Sequence, residues 1–148
     1  MAGLVGRLAL PDPQGRWNLV VPVRVLADGV FDPMHYGHIR YLQAARKLGA
    51  PLIVNIAPDS AIIAKGRLPF QTQSERASMV GALRCVDAIR LYPSLEAALY
   101  GEHPVYLVKG NDWRDRLPDV VLKAAHDVGA VIVFTDTQER SSTERLSA

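Results

Sequence analysis

The chain has a single cysteine, Cys85, among 148 residues. That excludes an internal disulfide and any metal site built from several thiolates, and it fits a reducing, cytoplasmic compartment. Charge of one sign is equally scarce: 17 Lys and Arg against 15 Asp and Glu leave a formal net charge of +2. The basic residues are scattered, whereas a nucleic-acid footprint needs them clustered on one face, so no nucleic-acid partner is expected. Long hydrophobic runs are also missing. Pro11, Pro13 and Gly15 interrupt the apolar N-terminal stretches before any run reaches the roughly 18 residues of a membrane span. No signal peptide, anchor or membrane association is expected. What the sequence does have, 49% hydrophobic and 22% charged residues, suffices for one compact domain with a real core.

The turn cluster Pro11-Asp12-Pro13-Gln14-Gly15 lies between two apolar triplets, so residues 1–21 read as an N-terminal arm or short hairpin appended to a main domain at 22–148. In that domain Val23–Ala27 reads as a buried strand. The segment His38–Leu48 has helical apolar spacing with Gly49 as its stop, and Leu52–Ala57 reads as a second strand. One helix between two apolar runs signals a right-handed βαβ unit and therefore a parallel sheet. The alternation continues with a helix at Thr72–Leu83, a strand at Ala88–Leu91, a helix at Ser94–Tyr100 and a strand at Val105–Val108. A helix at Leu117–Val128 and a strand at Val131–Phe134 follow, with a final helix starting near Ser142. The expected fold is α/β, a doubly wound, Rossmann-like parallel five-stranded sheet with helices on both faces.

The informative stretch is Asp28-Gly29-Val30-Phe31-Asp32-Pro33-Met34-His35-Tyr36-Gly37-His38, which joins the end of a strand to the start of a helix. Ligands of open α/β sheets bind at such strand ends, and the helix N-terminus offers unpaired N–H groups suited to phosphate. Gly29 and Gly37 allow close backbone approach. His35 and His38 can present imidazole N–H donors to the same phosphate oxygens; the bland alternative is a pair of capping or surface histidines.

His35-Tyr36-Gly37-His38, preceded by Gly-x-Phe-Asp, resembles the HxGH signature of the nucleotidyltransferase superfamily. Similarity to its cytidylyltransferase-like branch extends over residues 25–146. It takes in Ala45-Arg46-Lys47-Leu48-Gly49, Asp59, Lys65-Gly66-Arg67 with Pro69, Glu75-Arg76, Val86-Asp87, Val108-Lys109-Gly110 with Asp112, and Ser142-Thr143. Lys65-Gly66-Arg67-Leu68-Pro69 and Val108-Lys109-Gly110 look like the heptose 1-phosphate adenylyltransferases. His35–Arg40 and Asn111-Asp112-Trp113 look more like the glycerol-3-phosphate cytidylyltransferases, which also carry an arginine where this chain has Thr137.

The resemblance implies transfer of a nucleoside monophosphate from ATP or CTP to a small phosphorylated sugar or alditol, with release of pyrophosphate and Mg²⁺ shielding the charge. It implies catalytic roles for His35, His38 and Lys65, and nucleotide binding by Gly29, Val30, Phe31, Gly37, Lys109, Asp112, Ser142 and Thr143. Arg67 and Arg76 would hold the substrate phosphate; the metal ligands are unassigned. Lys65 as a solvated loop residue, Arg76 as an ordinary surface arginine and Ser142-Thr143 as a plain helix cap are the structural alternatives. Relatives of this size commonly pair, so a homodimer is expected, with Tyr92 and Tyr100 as exposed apolar positions for it. The functional alternative is a nucleotide-binding module without catalysis, since a fold alone does not fix activity. A class I aminoacyl-tRNA synthetase does not fit in this length.

Overall fold

Strands covered by helices on both faces read as continuous apolar runs. That is how the chain builds its sheet in the computed structural model, which describes residues 8–11, 13–20 and 22–136. After a hairpin of β1 (Leu8–Pro11) and β2 (Trp17–Val20) come β3 (Val25–Gly29), α1 (Tyr36–Arg46), β4 (Leu52–Ile56), α2 (Asp59–Ile63), α3 (Gln73–Gly81) and β5 (Ala88–Arg90). Then follow α4 (Leu95–Glu102), β6 (Tyr106–Gly110), a 3-10 turn (Asn111–Trp113), α5 (Asp119–Val128) and β7 (Val131–Thr135). The order β5-β4-β3-β6-β7 is parallel throughout. This is the expected doubly wound five-stranded sheet.

Alternation along each strand separates two cores. Val25, Ala27, Leu52, Val54, Ile56 and Val108 pack with Tyr41, Leu42 and Ala45 of α1 and Val80 of α3. Leu26, Ile53 and Leu107 point the other way, onto Ala98 and Leu99 of α4 and Val121, Ala124 and Ala125 of α5. Each fully buried aliphatic side chain contributes about 1.5–3 kcal/mol. The chain starts in the middle at β3, winds outward through β4 to β5, and returns to β6 on the other side. The topological switch point therefore lies between β3 and β6, where a crevice opens beyond the carboxyl ends.

The turn cluster forms a two-stranded antiparallel hairpin, Leu8 opposite Val20, separate from the main sheet. Helix α2 was not anticipated; it is one short turn-and-a-half whose Ile62 is fully buried. Tyr92 departs from expectation: it packs into the α4–α5 core and its hydroxyl donates to Glu102 Oε1 at 3.2 Å, so it is not a surface position, whereas Tyr100 is exposed. The helix expected from Ser142 lies outside the described residues, as do Thr137, Ser142 and Thr143. Among the described residues no helix is long and apolar enough to cross a membrane.

Candidate active site

A cavity of about 500 Å³ occupies the switch point. Around it the structure gathers Gly29, Val30 and Phe31 after β3, His35, Gly37 and His38 at the start of α1, Lys65 and Arg67 after α2, and Lys109 and Asp112 at the end of β6. Trp113, expected beside Lys109 and Asp112, lines it too, as do side chains that sequence reasoning did not assign, Asp28, Tyr41, Asn55 and Glu96 among them.

The two histidines form the cap of α1. His35 is the N-cap in extended conformation; its Nδ1 accepts from Gly37 N at 3.1 Å, while His38 Nδ1 accepts from His35 N at 3.2 Å. This is a capping box written with imidazoles in place of Ser and Glu. With Nδ1 accepting in both rings, the neutral imidazole carries its proton on Nε2, a tautomer inferred from the hydrogen bonds. The rings stack at 3.8 Å between centroids, and Phe31 meets His38 edge-on at 4.9 Å. The capping and pocket-lining readings of the pair therefore coexist: capping fixes the tautomer and orientation of both rings in the pocket wall.

Phe31 turns the chain with φ 53 and is fully buried. Such a left-handed non-glycine conformation costs on the order of 1–3 kcal/mol and persists because its surroundings hold it. A Cβ on Gly29 would lie 2.9 Å from the Phe31 ring, so the glycine is required by close approach. Asp32, next in the chain, is completely buried. It accepts from Arg67 Nη1 at 2.7 Å, Phe70 N at 2.8 Å and Gln71 N at 2.7 Å, and Arg67 Nη2 donates to its carbonyl at 2.6 Å. Burial by itself would raise the carboxyl pKa. The donors Phe70 N, Arg67 and Gln71 N together outweigh it and hold the group below its ordinary value. Arg67 lines the pocket, yet its guanidinium clasps the 65–71 loop to the Phe31–Asp32 turn.

Arg76 is where the sequence-based assignment fails. Its side chain is fully buried and does not line the pocket. Its guanidinium donates to the carbonyls of Gln71, Val30 and Ala57 and to Asp59 Oδ1 at 2.6 Å. Rather than clamp a substrate phosphate, it ties α3 to the strand-end loops carrying Val30 and Ala57. A helical arginine reads the same in sequence whether it faces solvent or buried carbonyls.

Across the pocket floor the ladder between β3 and β6 stops at Ala27–Val108. The buried Tyr41 hydroxyl donates to Val108 O, and Asp28 N donates to it at 3.3 Å. Beyond the split, Asp28 Oδ1 accepts from Asn55 Nδ2 at 2.9 Å and Asp28 Oδ2 lies 3.5 Å from Lys109 Nζ. Lys109 Nζ stands 4.6 Å from the centre of the Trp113 ring. A lone asparagine inside the otherwise apolar run Leu52-Ile53-Val54-Asn55-Ile56 was the sequence signal for this cluster. Lys65, an exposed residue at the pocket mouth, has its pKa pushed down, first by partial loss of water and then by the positive charges of Lys109 and Arg67.

Among the described residues no group of three or more His, Cys, Asp or Glu could hold a metal ion. Asp28 is already engaged with Asn55 and Lys109. A Mg²⁺ here would therefore depend on phosphate oxygens and water, the coordination this ion commonly takes beside nucleotides.

Comparison with known proteins agrees with this geometry. The cytidylyltransferase-like family model matches residues 26–145. The D-beta-D-heptose 1-phosphate adenylyltransferase of Bordetella bronchiseptica is 37% identical over 128 residues, 82% of this chain and 78% of that protein. The ethanolamine-phosphate cytidylyltransferase of Arabidopsis thaliana is 38% identical over 98 residues, 62% of this chain but only 23% of that longer protein. The crystal structure of a lipopolysaccharide core biosynthesis protein from Thermoplasma volcanium superposes with a TM-score of 0.70 at 28% identity, covering 80% of this chain and 100% of that one. The chain belongs to the cytidylyltransferase-like family of nucleotidyltransferases.

Proposed function

We propose that the protein transfers the adenylyl group of ATP to the phosphate of a sugar 1-phosphate of the heptose type, releasing pyrophosphate. The observation that carries this reading is the reciprocal cap of His35 and His38, which commits both Nδ1 atoms to backbone N–H groups and keeps Nε2–H as the donor of each pocket-lining ring. The named activity of the Bordetella relative supports the choice of nucleotide and acceptor.

A phosphate monoester is largely dianionic at neutral pH, so the acceptor oxygen is already a nucleophile and no general base is required. It attacks the α-phosphorus in line; the bond to the bridging oxygen breaks and pyrophosphate carries away the electron pair. Catalysis then rests on positioning and on charge stabilisation. In this reading the Nε2–H groups of His35 and His38 donate to phosphoryl oxygens, and the N-terminus of α1 adds the positive end of its dipole. Lys65, which lines the same pocket, neutralises charge there. Mg²⁺ held through phosphate oxygens and water would shield the charge of the triphosphate. Ser142 and Thr143 belong to the same proposal as phosphate ligands.

The competing reading is cytidylyl transfer to an alditol phosphate, favoured by the His35–Arg40 and Asn111-Asp112-Trp113 segments. A pyrophosphate-release assay crossing ATP and CTP with heptose 1-phosphate and glycerol 3-phosphate separates the two. Release with ATP and heptose 1-phosphate alone is the expected outcome. Release with CTP and glycerol 3-phosphate would replace it, and nucleotide binding without release from any pair would favour a non-catalytic module.

A further inference from the structure

Asp28, Trp113 and Lys109 make an arrangement that phosphate chemistry does not call for. A carboxylate beside an aromatic face is the construction that recognises alkylammonium groups. Here both elements line the pocket, and the ammonium against them is the chain's own: Lys109 Nζ is 3.5 Å from Asp28 Oδ2 and 4.6 Å from the Trp113 ring centre. Lys109 is only 5% exposed, and Asn55 holds the second oxygen of Asp28. The cage is built into the floor at the end of β6, not formed by a surface lysine that happens to pass. Lys65 lines the same pocket, where the charges of Lys109, Arg67, Asp28 and Asp112 act on it, so this cage lies within electrostatic reach of the cation that would neutralise phosphate charge.

We infer that Lys109 is a tethered cation filling the pocket's own ammonium site, so that the enzyme accepts phosphate esters of uncharged polyols and rejects those of amino alcohols. This rests on the proposed transfer to a phosphorylated acceptor and adds a residue that selects it by charge. An incoming ammonium would be pressed against Lys109 in a partly desolvated site, with the Asp28 carboxylate already engaged by Lys109 and Asn55; like charges so placed are strongly disfavoured. A hydroxyl faces no such penalty. An ammonium has three donors, and those not directed at Asp28 remain for hydroxyl oxygens.

Two probes of equal size isolate the effect: 2-aminoethyl phosphate and 2-hydroxyethyl phosphate differ only in an ammonium against a hydroxyl. Their affinities are measured by calorimetry in the presence of a non-hydrolysable nucleotide, with turnover of both followed separately. The wild-type protein is expected to bind the hydroxyethyl ester at least about tenfold more tightly. Lys109→Met, which keeps the stem and vacates the cage, is expected to reverse the order, and Lys109→Arg to keep it. Equal binding of both probes by the wild-type protein overturns the inference, even if Lys109→Met does not fold. So does an unchanged ratio in a Lys109→Met protein that unfolds cooperatively, or failure of either probe to bind wild type and variants. If the binding ratio holds while no acceptor is turned over, the charge filter stands and the proposed reaction falls. Turnover of sugar phosphate with a ratio of one leaves the reaction and removes the filter.

Discussion

Replacing Arg67 with Met separates two roles for the same residue, a clasp on Asp32 and a ligand of substrate phosphate. The change removes the 2.7 Å ion pair to Asp32 Oδ2 and the 2.6 Å bond to its carbonyl, but leaves Phe70 N and Gln71 N on the carboxylate. Removing one partner of a buried pair costs about 3–5 kcal/mol. Because two backbone donors remain and the Arg67 side chain is 18% exposed, the expected loss is about 2–3 kcal/mol. For a chain of this length that is about 4–12 °C in Tm.

The pH dependence gives the sign. Hydrogen bonds, Arg67 among them, hold the folded-state pKa of Asp32 below its unfolded value, so its stabilising contribution is complete above the ordinary carboxylate pKa and is lost as pH falls through the lowered one. Without Arg67 the burial effect gains weight, and the folded-state pKa rises. The stability gap between wild type and variant is therefore widest at neutral pH and narrows as Asp32 becomes protonated in acid. Urea unfolding midpoints measured from neutral to acid pH test this. An unchanged midpoint at neutral pH together with a raised acceptor KM would refute the clasp and restore Arg67 as a substrate ligand; a gap constant with pH would refute its dependence on Asp32.

Two other perturbations bear on the site. Gly29→Ala puts a methyl 2.9 Å from the buried Phe31 ring, and is expected to cost about 1–3 kcal/mol and to lower kcat through the Phe31–His38 contact; denaturant unfolding and initial rates on the same protein check it. Lys65 titrates below an ordinary lysine, so kcat/KM, which reports the free enzyme, is expected to fall on the alkaline side earlier than an unperturbed lysine would allow. Lys65→Arg should remove that limb, and its persistence in the variant would assign the titration elsewhere.

The sheet was legible because its strands are buried on both faces: Val25-Leu26-Ala27 is an unbroken apolar run, Leu52–Ile56 is apolar except for Asn55, and the helix between them carries a clear stop. Helix α2 escaped because five residues offer too little periodicity. The histidine pair was legible from its spacing at a strand-to-helix junction, whereas its reciprocal capping depends on backbone geometry that spacing does not carry. Arg76 was misread because its acceptors on Val30 and Ala57 are 46 and 19 residues away. The Asp28–Asn55–Lys109 cluster joins three strands, and of its members only Asn55, polar within an apolar run, left a local mark.

If the capped histidines act on the transferring phosphoryl group, His38→Ala lowers kcat for pyrophosphate release at saturating ATP and sugar 1-phosphate. The expected result is a loss on the order of a hundredfold, as for removal of one preorganised donor, in a protein that still unfolds cooperatively and still binds nucleotide. Turnover equal to wild type in that folded variant would contradict the claim.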